Sequence, residues 1–236
     1  MEICGKSVLV TGGALRVGAE ICRAFAAAGA RVAIHCHTSR AEAEALAAAL
    51  PGAGHRVFAA DFTRPGAAEA LFAAVGRVDI LVNNASVYRL PGGDTPANAA
   101  VYRAVNLAAP FALLRLAAAQ PGPGAVVNVL DQAVLARKPA ETGAYLASRR
   151  RLAALTLAAA RRFAPRDWRI NAVAPGPMIP PRGLEESRMV RTLRTVPLGR
   201  AVSPRDLAAA ILFLAGCDSV TGAILPVDGG QHLGVR

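Results

Sequence analysis

Residues 7–18 read Ser7-Val8-Leu9-Val10-Thr11-Gly12-Gly13-Ala14-Leu15-Arg16-Val17-Gly18. A short apolar run rich in valine breaks on two glycines. It then passes into Arg16–Ala28, a segment long enough for a helix. Glycines let backbone approach a pyrophosphate, and a helix N-terminus offers free N–H donors and a positive dipole. Such a turn also reads as a plain tight turn, but its place in the first strand–helix–strand unit points to a ligand.

Working outward, similar apolar runs recur at Ser7–Thr11, Arg31–Cys36, His55–Ala60, Asp79–Asn83, Ala125–Leu130 and Ile170–Ala174. Between most of them lie Ala/Leu/Arg segments of helical length, including Ala41–Leu50 and Gly143–Phe163. A last short strand, Ala223–Val227, follows a helix over Ser203–Leu214. Strands alternating with helices imply a parallel sheet, because each crossover takes about a dozen residues and packs on a sheet face. Continuous apolar strands imply that both faces are covered. The architecture read from the chain is a doubly wound α/β sheet.

The 236 residues suit a single domain spanning 1–236 better than two. Hydrophobic residues make up 53% and charged residues 18%, which excludes intrinsic disorder. No run approaches 18 uninterrupted apolar residues, and the N-terminus lacks signal-peptide regions. The expectation is a cytoplasmic protein without a membrane partner. Cys4, Cys22, Cys36 and Cys217 lack metal-ligand spacing and read as buried reduced thiols, so no metal site is expected. The net charge is +11, with 27 basic residues of which Lys6 and Lys138 are the lysines. No nucleic-acid module accompanies them, and no nucleic-acid partner is expected.

In doubly wound sheets the ligand lies beyond the carboxyl ends of the strands. Those ends carry Thr11-Gly12…Gly18, then Asn83-Asn84-Ala85-Ser86, then Asp131 and Pro175-Gly176. Further along come Asn106, Tyr145-Leu146-Ala147-Ser148-Arg149 and Asp228-Gly229-Gly230. In order and spacing this set resembles the short-chain dehydrogenase/reductase family across essentially the whole chain. The resemblance implies a Rossmann-type fold, a nicotinamide cofactor and a catalytic tyrosine.

Certain departures resemble one branch. Arg16 stands where the family's middle glycine lies, Asp131 ends strand five where a serine is usual nearby, and Tyr88 follows Ser86 by two residues. This set looks like the pteridine reductases and bacterial dihydromonapterin reductases. The likeness implies that Arg16 touches cofactor phosphate and pterin, Tyr88 stacks on the pterin, and Tyr145 with Asp131 delivers the proton. Ser86 joins that substrate surface. From the residues alone, Tyr88 also reads as a rim tyrosine, and Asp131 as the cap of a turn.

The cofactor set follows: Gly12, Arg16, Val17 and Gly18 in the turn, and His35, His37, Thr38 and Ser39 after strand two. The resemblance further implies that Asp61 and Phe62 flank adenine, that Asn84, Ala85 and Ser86 after strand four join the site, and that Tyr145, Arg149, Pro175 and Gly176 meet the nicotinamide end. No acid follows strand two, where an NAD site places one for the ribose 2′-hydroxyl. Arg16 and Arg40 can instead pair with a 2′-phosphate, which favours NADPH. Met178–Val196, with Pro180, Pro181 and Gly183, reads as a lid.

Tyr145 and Arg149, four apart on a helix, share a face. Free tyrosine titrates near pH 10, and a fixed cation lowers that value. In the family the cation is lysine, which also binds the ribose; here arginine brings a wider, planar fork. Asn106 matches the family asparagine at a helix kink, or else is an ordinary helix-surface amide. The functional expectation is an NADPH-dependent pterin reductase. Alternatives are a carbonyl reductase, or a cofactor-binding protein without turnover because of Arg149. Surplus Ala and Leu on Ala97–Gln120 and Gly143–Phe163 point to a homotetramer.

Overall fold

The computed structural model describes residues 1–88, 91–136, 143–178 and 186–234, with no side-chain detail at 186–188. Seven strands form one parallel sheet: β1 (Ser7–Val10), β2 (Arg31–Cys36), β3 (Arg56–Ala59), β4 (Ile80–Asn83), β5 (Gly124–Val129), β6 (Trp168–Pro175) and β7 (Ile224–Val227). Their spatial order is β3-β2-β1-β4-β5-β6-β7, so the strand sequence reverses between β1 and β4. The doubly wound, single-domain reading of the sequence is the fold observed.

Among the described residues, eight α-helices flank the sheet: α1 (Arg16–Ala27), α2 (Arg40–Ala49), α3 (Ala67–Val75), α4 (Pro96–Arg103), α5 (Ala109–Ala119), α6 (Ala144–Phe163), α7 (Glu186–Leu193) and α8 (Pro204–Gly216). Alternation along the strands divides the core. Val8, Val10, Val127 and Val129 face the layer of α1, α2 and α8; Leu9 and Val126 face α3, α5 and α6. Leu9, Leu113, Leu114 and Ile170 are fully buried, each contributing about 1.5–3 kcal/mol of transfer free energy.

Pro96–Ala119 is one helical run, long and apolar enough by composition to cross a membrane. Here its apolar side lies in the core, with Leu113, Leu114, Ala117 and Ala118 fully buried. Within it, Ala104–Ala108 widens into a π-turn, where Ala109 N–H donates to Ala104 C=O. Pro110 lacks the N–H that the Asn106 carbonyl would take in an α-helix, so the ladder shifts there. Of the four thiols, Cys22 and Cys36 are buried as expected, whereas Cys4 is exposed and Cys217 half-buried. Lys138, and Pro180, Pro181 and Gly183 of the expected lid, lie outside the described residues. The last part of that stretch is α7.

Candidate active site

The crevice opens where β1 and β4 part, and a threonine ties its two walls together. Thr11 Oγ1 accepts the N–H groups of Asn84 and Ala85, both at 3.0 Å. The Asn84 amide returns two bonds, to the carbonyls of Thr11 and Gly12, also at 3.0 Å. The turn after β1 and the segment after β4 are therefore one unit.

Gly12 holds φ +62 and Gly18 lies so close that a Cβ there would collide with the Gly12 carbonyl. Helix α1 accordingly packs directly on the turn. Its N-cap, Leu15, makes no side-chain capping bond, and no acid occupies the first turn. The first N–H groups and the dipole are left for an anion, which fits a pyrophosphate. Arg16 is exposed with φ +52, a left-handed geometry in which a Cβ costs about 1–2 kcal/mol. That strain explains why glycine is the family's residue there. Val17 packs partly against the core.

Two expected cofactor ligands are supports instead. His35 is buried: its Nδ1 accepts Gly12 N–H at 3.1 Å, and its Nε2 lies 3.1 Å from the Ala60 carbonyl. This pairing specifies a neutral ring protonated at Nε2, and burial lowers its pKa to about 4. Phe62 is turned inward, its ring stacked on His35 at 4.3 Å, so the ring adds nothing to a ligand surface. Both residues brace the glycine turn from behind.

The surface at the end of β2 is open and polar. His37 and Thr38 are exposed and Ser39 is half-buried, while Arg40 pairs with Glu44 at 2.8 Å. Asp61 accepts from Thr63 N–H and Oγ1 at 2.9 and 2.6 Å. These bonds hold its carboxyl below the usual carboxylate value. Its other oxygen lies 3.8 Å from His37 Nε2 and 3.5 Å from Arg64.

On the opposite wall, Tyr145 donates to Asp131 Oδ2 at 3.0 Å. Asp131 Oδ1 accepts Ala133 N–H at 2.8 Å, capping the short turn Gln132–Val134. One Asp131 oxygen thus caps the turn while the other is free to take the Tyr145 hydroxyl. The Tyr145 ring is met edge-on by Tyr88 at 4.8 Å and by buried Tyr102 at 5.8 Å. Tyr88 keeps 38% of its surface exposed above this cluster.

Arg149, expected beside the Tyr145 phenol and the nicotinamide ribose, is buried against protein groups. It is 3% exposed and lies 5.6 Å from the Tyr145 ring centroid. Its fork donates to the Val129 carbonyl at 3.4 Å and makes a close hydrogen bond to Ser86 Oγ. Its Nε is buried without a partner among the described atoms. Arg149 thus ties the segment after β4 to α6. Burial pushes the Tyr145 phenol up; Arg149 opposes this and Asp131 adds to it. The cation was expected to bring the phenol down from its ordinary value, but burial wins. Near neutrality the group is a proton-bearing phenol.

Asn106 sits in the π-turn, fully buried. Its amide clamps Val87, accepting Val87 N–H and donating to Val87 C=O, both at 2.9 Å. It is not a helix-surface amide. Pro175 ends β6, and Gly176 N–H donates to the Val227 carbonyl at 3.0 Å. A Cβ on Gly176 would come within 2.8 Å of Asp228 Cα, so this corner requires glycine.

The sequence reading missed a buried polar chain behind the site. Asn83 donates to the Pro110 carbonyl and to Asn128 Oδ1, and Asn128 donates to Thr156, which bonds Leu152 C=O. The polar residues within the apolar β4 and β5 runs were its signal. Tyr102 and Asp94, both against α6, were missed too, and they had no local signature.

Comparison with known proteins adds the family. A sequence model described as Enoyl-(Acyl carrier protein) reductase matches residues 13–232. Galactitol 2-dehydrogenase (L-tagatose-forming) of Cereibacter sphaeroides is 38% identical over 245 residues, covering 96% of this chain and 94% of that protein. L-xylulose reductase of Bos taurus is 33% identical, covering 98% of each. Among solved structures, FolM alternative dihydrofolate reductase 1 from Brucella canis, complexed with NADP, superposes with a TM-score of 0.88. It is 32% identical and covers 100% of this chain and 97% of its own. With the glycine turn, the Tyr145 helix and the seven-stranded sheet in their family positions, the chain belongs to the short-chain dehydrogenase/reductase family.

Proposed function

We propose that the protein is an NADPH-dependent reductase of a pterin ring, with Tyr145 as proton donor and Asp131 as its partner. The observation that carries this is the 3.0 Å Tyr145–Asp131 bond beneath the half-open ring of Tyr88. A flat heteroaromatic substrate stacks on Tyr88, gaining about 0.5–1.5 kcal/mol beyond area burial. NADPH, when bound, supplies the hydride to carbon of a C=N bond. Tyr145 gives its proton to the nitrogen, and Asp131 holds the phenol in line. Burial keeps that phenol protonated until transfer.

The cofactor has a matching cradle. Gly12, Gly18 and the uncapped start of α1 take the pyrophosphate, with Val17 contributing backbone. Arg16, His37, Thr38 and Ser39 would hold the 2′-phosphate, and Asp61 would accept from the adenine amine. Asn84, Ala85, Ser86, Pro175 and Gly176 line the way to the nicotinamide, and Arg149 acts on Tyr145 and Ser86. Solved relatives complexed with NADP or NADPH support this choice of cofactor. Exposed Leu157 on α6 and Phe213 on α8 suit a homotetramer.

The sugar-alcohol and xylulose enzymes among the relatives favour a second reading, reduction of a sugar ketone. Loss of NADPH absorbance separates the two. The pterin reading expects turnover of a dihydropterin and little with xylulose; xylulose turnover without dihydropterin turnover overturns it. Tyr145→Phe is expected to abolish turnover while NADPH affinity stays nearly unchanged.

A further inference from the structure

Helix α6 carries Tyr145 at its second position, yet its N-cap is Gly143, which has no side chain, and its first turn holds no acid. The acceptor comes from elsewhere. The Asp94 carboxylate, 50 residues earlier, takes the Ala144 N–H at 3.3 Å. A Cβ on Gly143, which sits at φ +96, would collide with the other Asp94 oxygen. The absence of a side chain at 143 is what lets the carboxylate seat on the helix end.

The backbone either side of Asp94 is tied locally. The Asn98 amide donates to the carbonyls of Pro91 and Gly93 at 2.8 and 2.7 Å. Thr95 caps α4 by accepting Asn98 N–H at 3.2 Å. Either side of Asp94, Tyr88 and Tyr102 both rest on the Tyr145 ring. The chain from Tyr88 to Tyr102 thus meets the catalytic helix at two rings and one carboxylate.

We propose that Asp94 is a positioning residue that couples the segment bearing Tyr88 to the helix bearing Tyr145. A substrate on Tyr88 then meets the phenol in register only while Asp94 is seated on α6. This rests on the pterin-reductase reading for the role of Tyr88, although the coupling itself does not. The charges acting on the phenol are those of Arg149 and Asp131, so Asp94 works through geometry.

The test compares Asp94→Ala and Asp94→Asn with the native protein. Hydrogen exchange followed by mass spectrometry should rise in Asp94→Ala at both the 87–95 segment and the first turn of α6. NADPH affinity, read by fluorescence, should stay within about twofold, since the pyrophosphate cradle lies on the other wall and Asn84, Ala85 and Ser86 stay anchored to Thr11 and Arg149. With a dihydropterin substrate, KM should rise about fivefold, the value of one lost helix cap, while the shape of the pH profile is unchanged. Asp94→Asn keeps an acceptor oxygen and should recover most of the loss. In a Tyr88→Ala background, Asp94→Ala should add nothing further to KM. Exchange that rises in α6 alone, or in neither segment, overturns the coupling, as does a parallel fall in NADPH affinity and Tm. If no pterin is turned over, the substrate reading falls by itself and the exchange result still decides the coupling.

Discussion

Replacing Arg149 by methionine keeps much of the side chain's bulk and removes a buried cation beside the phenol. The guanidinium carbon lies 5.6 Å from the Tyr145 ring centroid. A unit charge at that distance is worth about 3 kcal/mol at an effective dielectric constant near 20, or roughly two pKa units on the phenol. Burial already holds that phenol above its ordinary value, so the substitution pushes it further up and makes a poorer acid. Proton transfer feels part of the donor's acidity, so turnover should fall about tenfold to a hundredfold at neutral pH. The assay is NADPH oxidation at saturating cofactor, with NADPH affinity measured separately. Arg149→Lys keeps the charge but cannot span Ser86 and Val129, and should stay within about fivefold of native. A methionine variant as active as the native protein would show that the cation is idle. A native protein that binds NADPH without turnover, switched on by Arg149→Lys, would identify Arg149 as a lesion.

Arg16→Gly relieves the φ +52 strain and should raise stability by about 1 kcal/mol. It should also reduce the preference for NADPH over NADH by about tenfold; Tm and paired cofactor titrations check both. His35 titrates at about 4 in the folded chain and near 6.5 when unfolded. As pH falls through that window the unfolded chain takes a proton that the folded chain refuses. Stability should therefore fall by up to about 3 kcal/mol between pH 6.5 and 4, and His35→Gln should flatten the trend in Tm. Asn106→Ala removes both bonds to Val87 and should raise substrate KM more than NADPH Kd; equal effects on the two would contradict the clamp.

How much of this was legible in the chain follows from the range of each interaction. Strand and helix periods, the glycine turn and the Tyr145–Arg149 spacing are local, and they predicted the parallel sheet and the strand ends where the site lies. Whether a side chain meets a ligand or a neighbour depends on partners far along the chain. His35 and Phe62 read as cofactor ligands because they lie near the carboxyl ends of β2 and β3, but folding brings their rings together to support Gly12. Arg149 read as the cation beside Tyr145 and the ribose; the tertiary structure also turned its fork onto Ser86, 63 residues away. The direction of the Tyr145 shift was likewise beyond the sequence, because desolvation comes from the packing of α4 and α6 rather than from any motif. The sequence by itself determined the sheet and the glycine turn, since those rest on local period and backbone freedom. Only the folded chain decided which groups face the crevice and which hold it open, because that depends on desolvation and on pairing between distant residues.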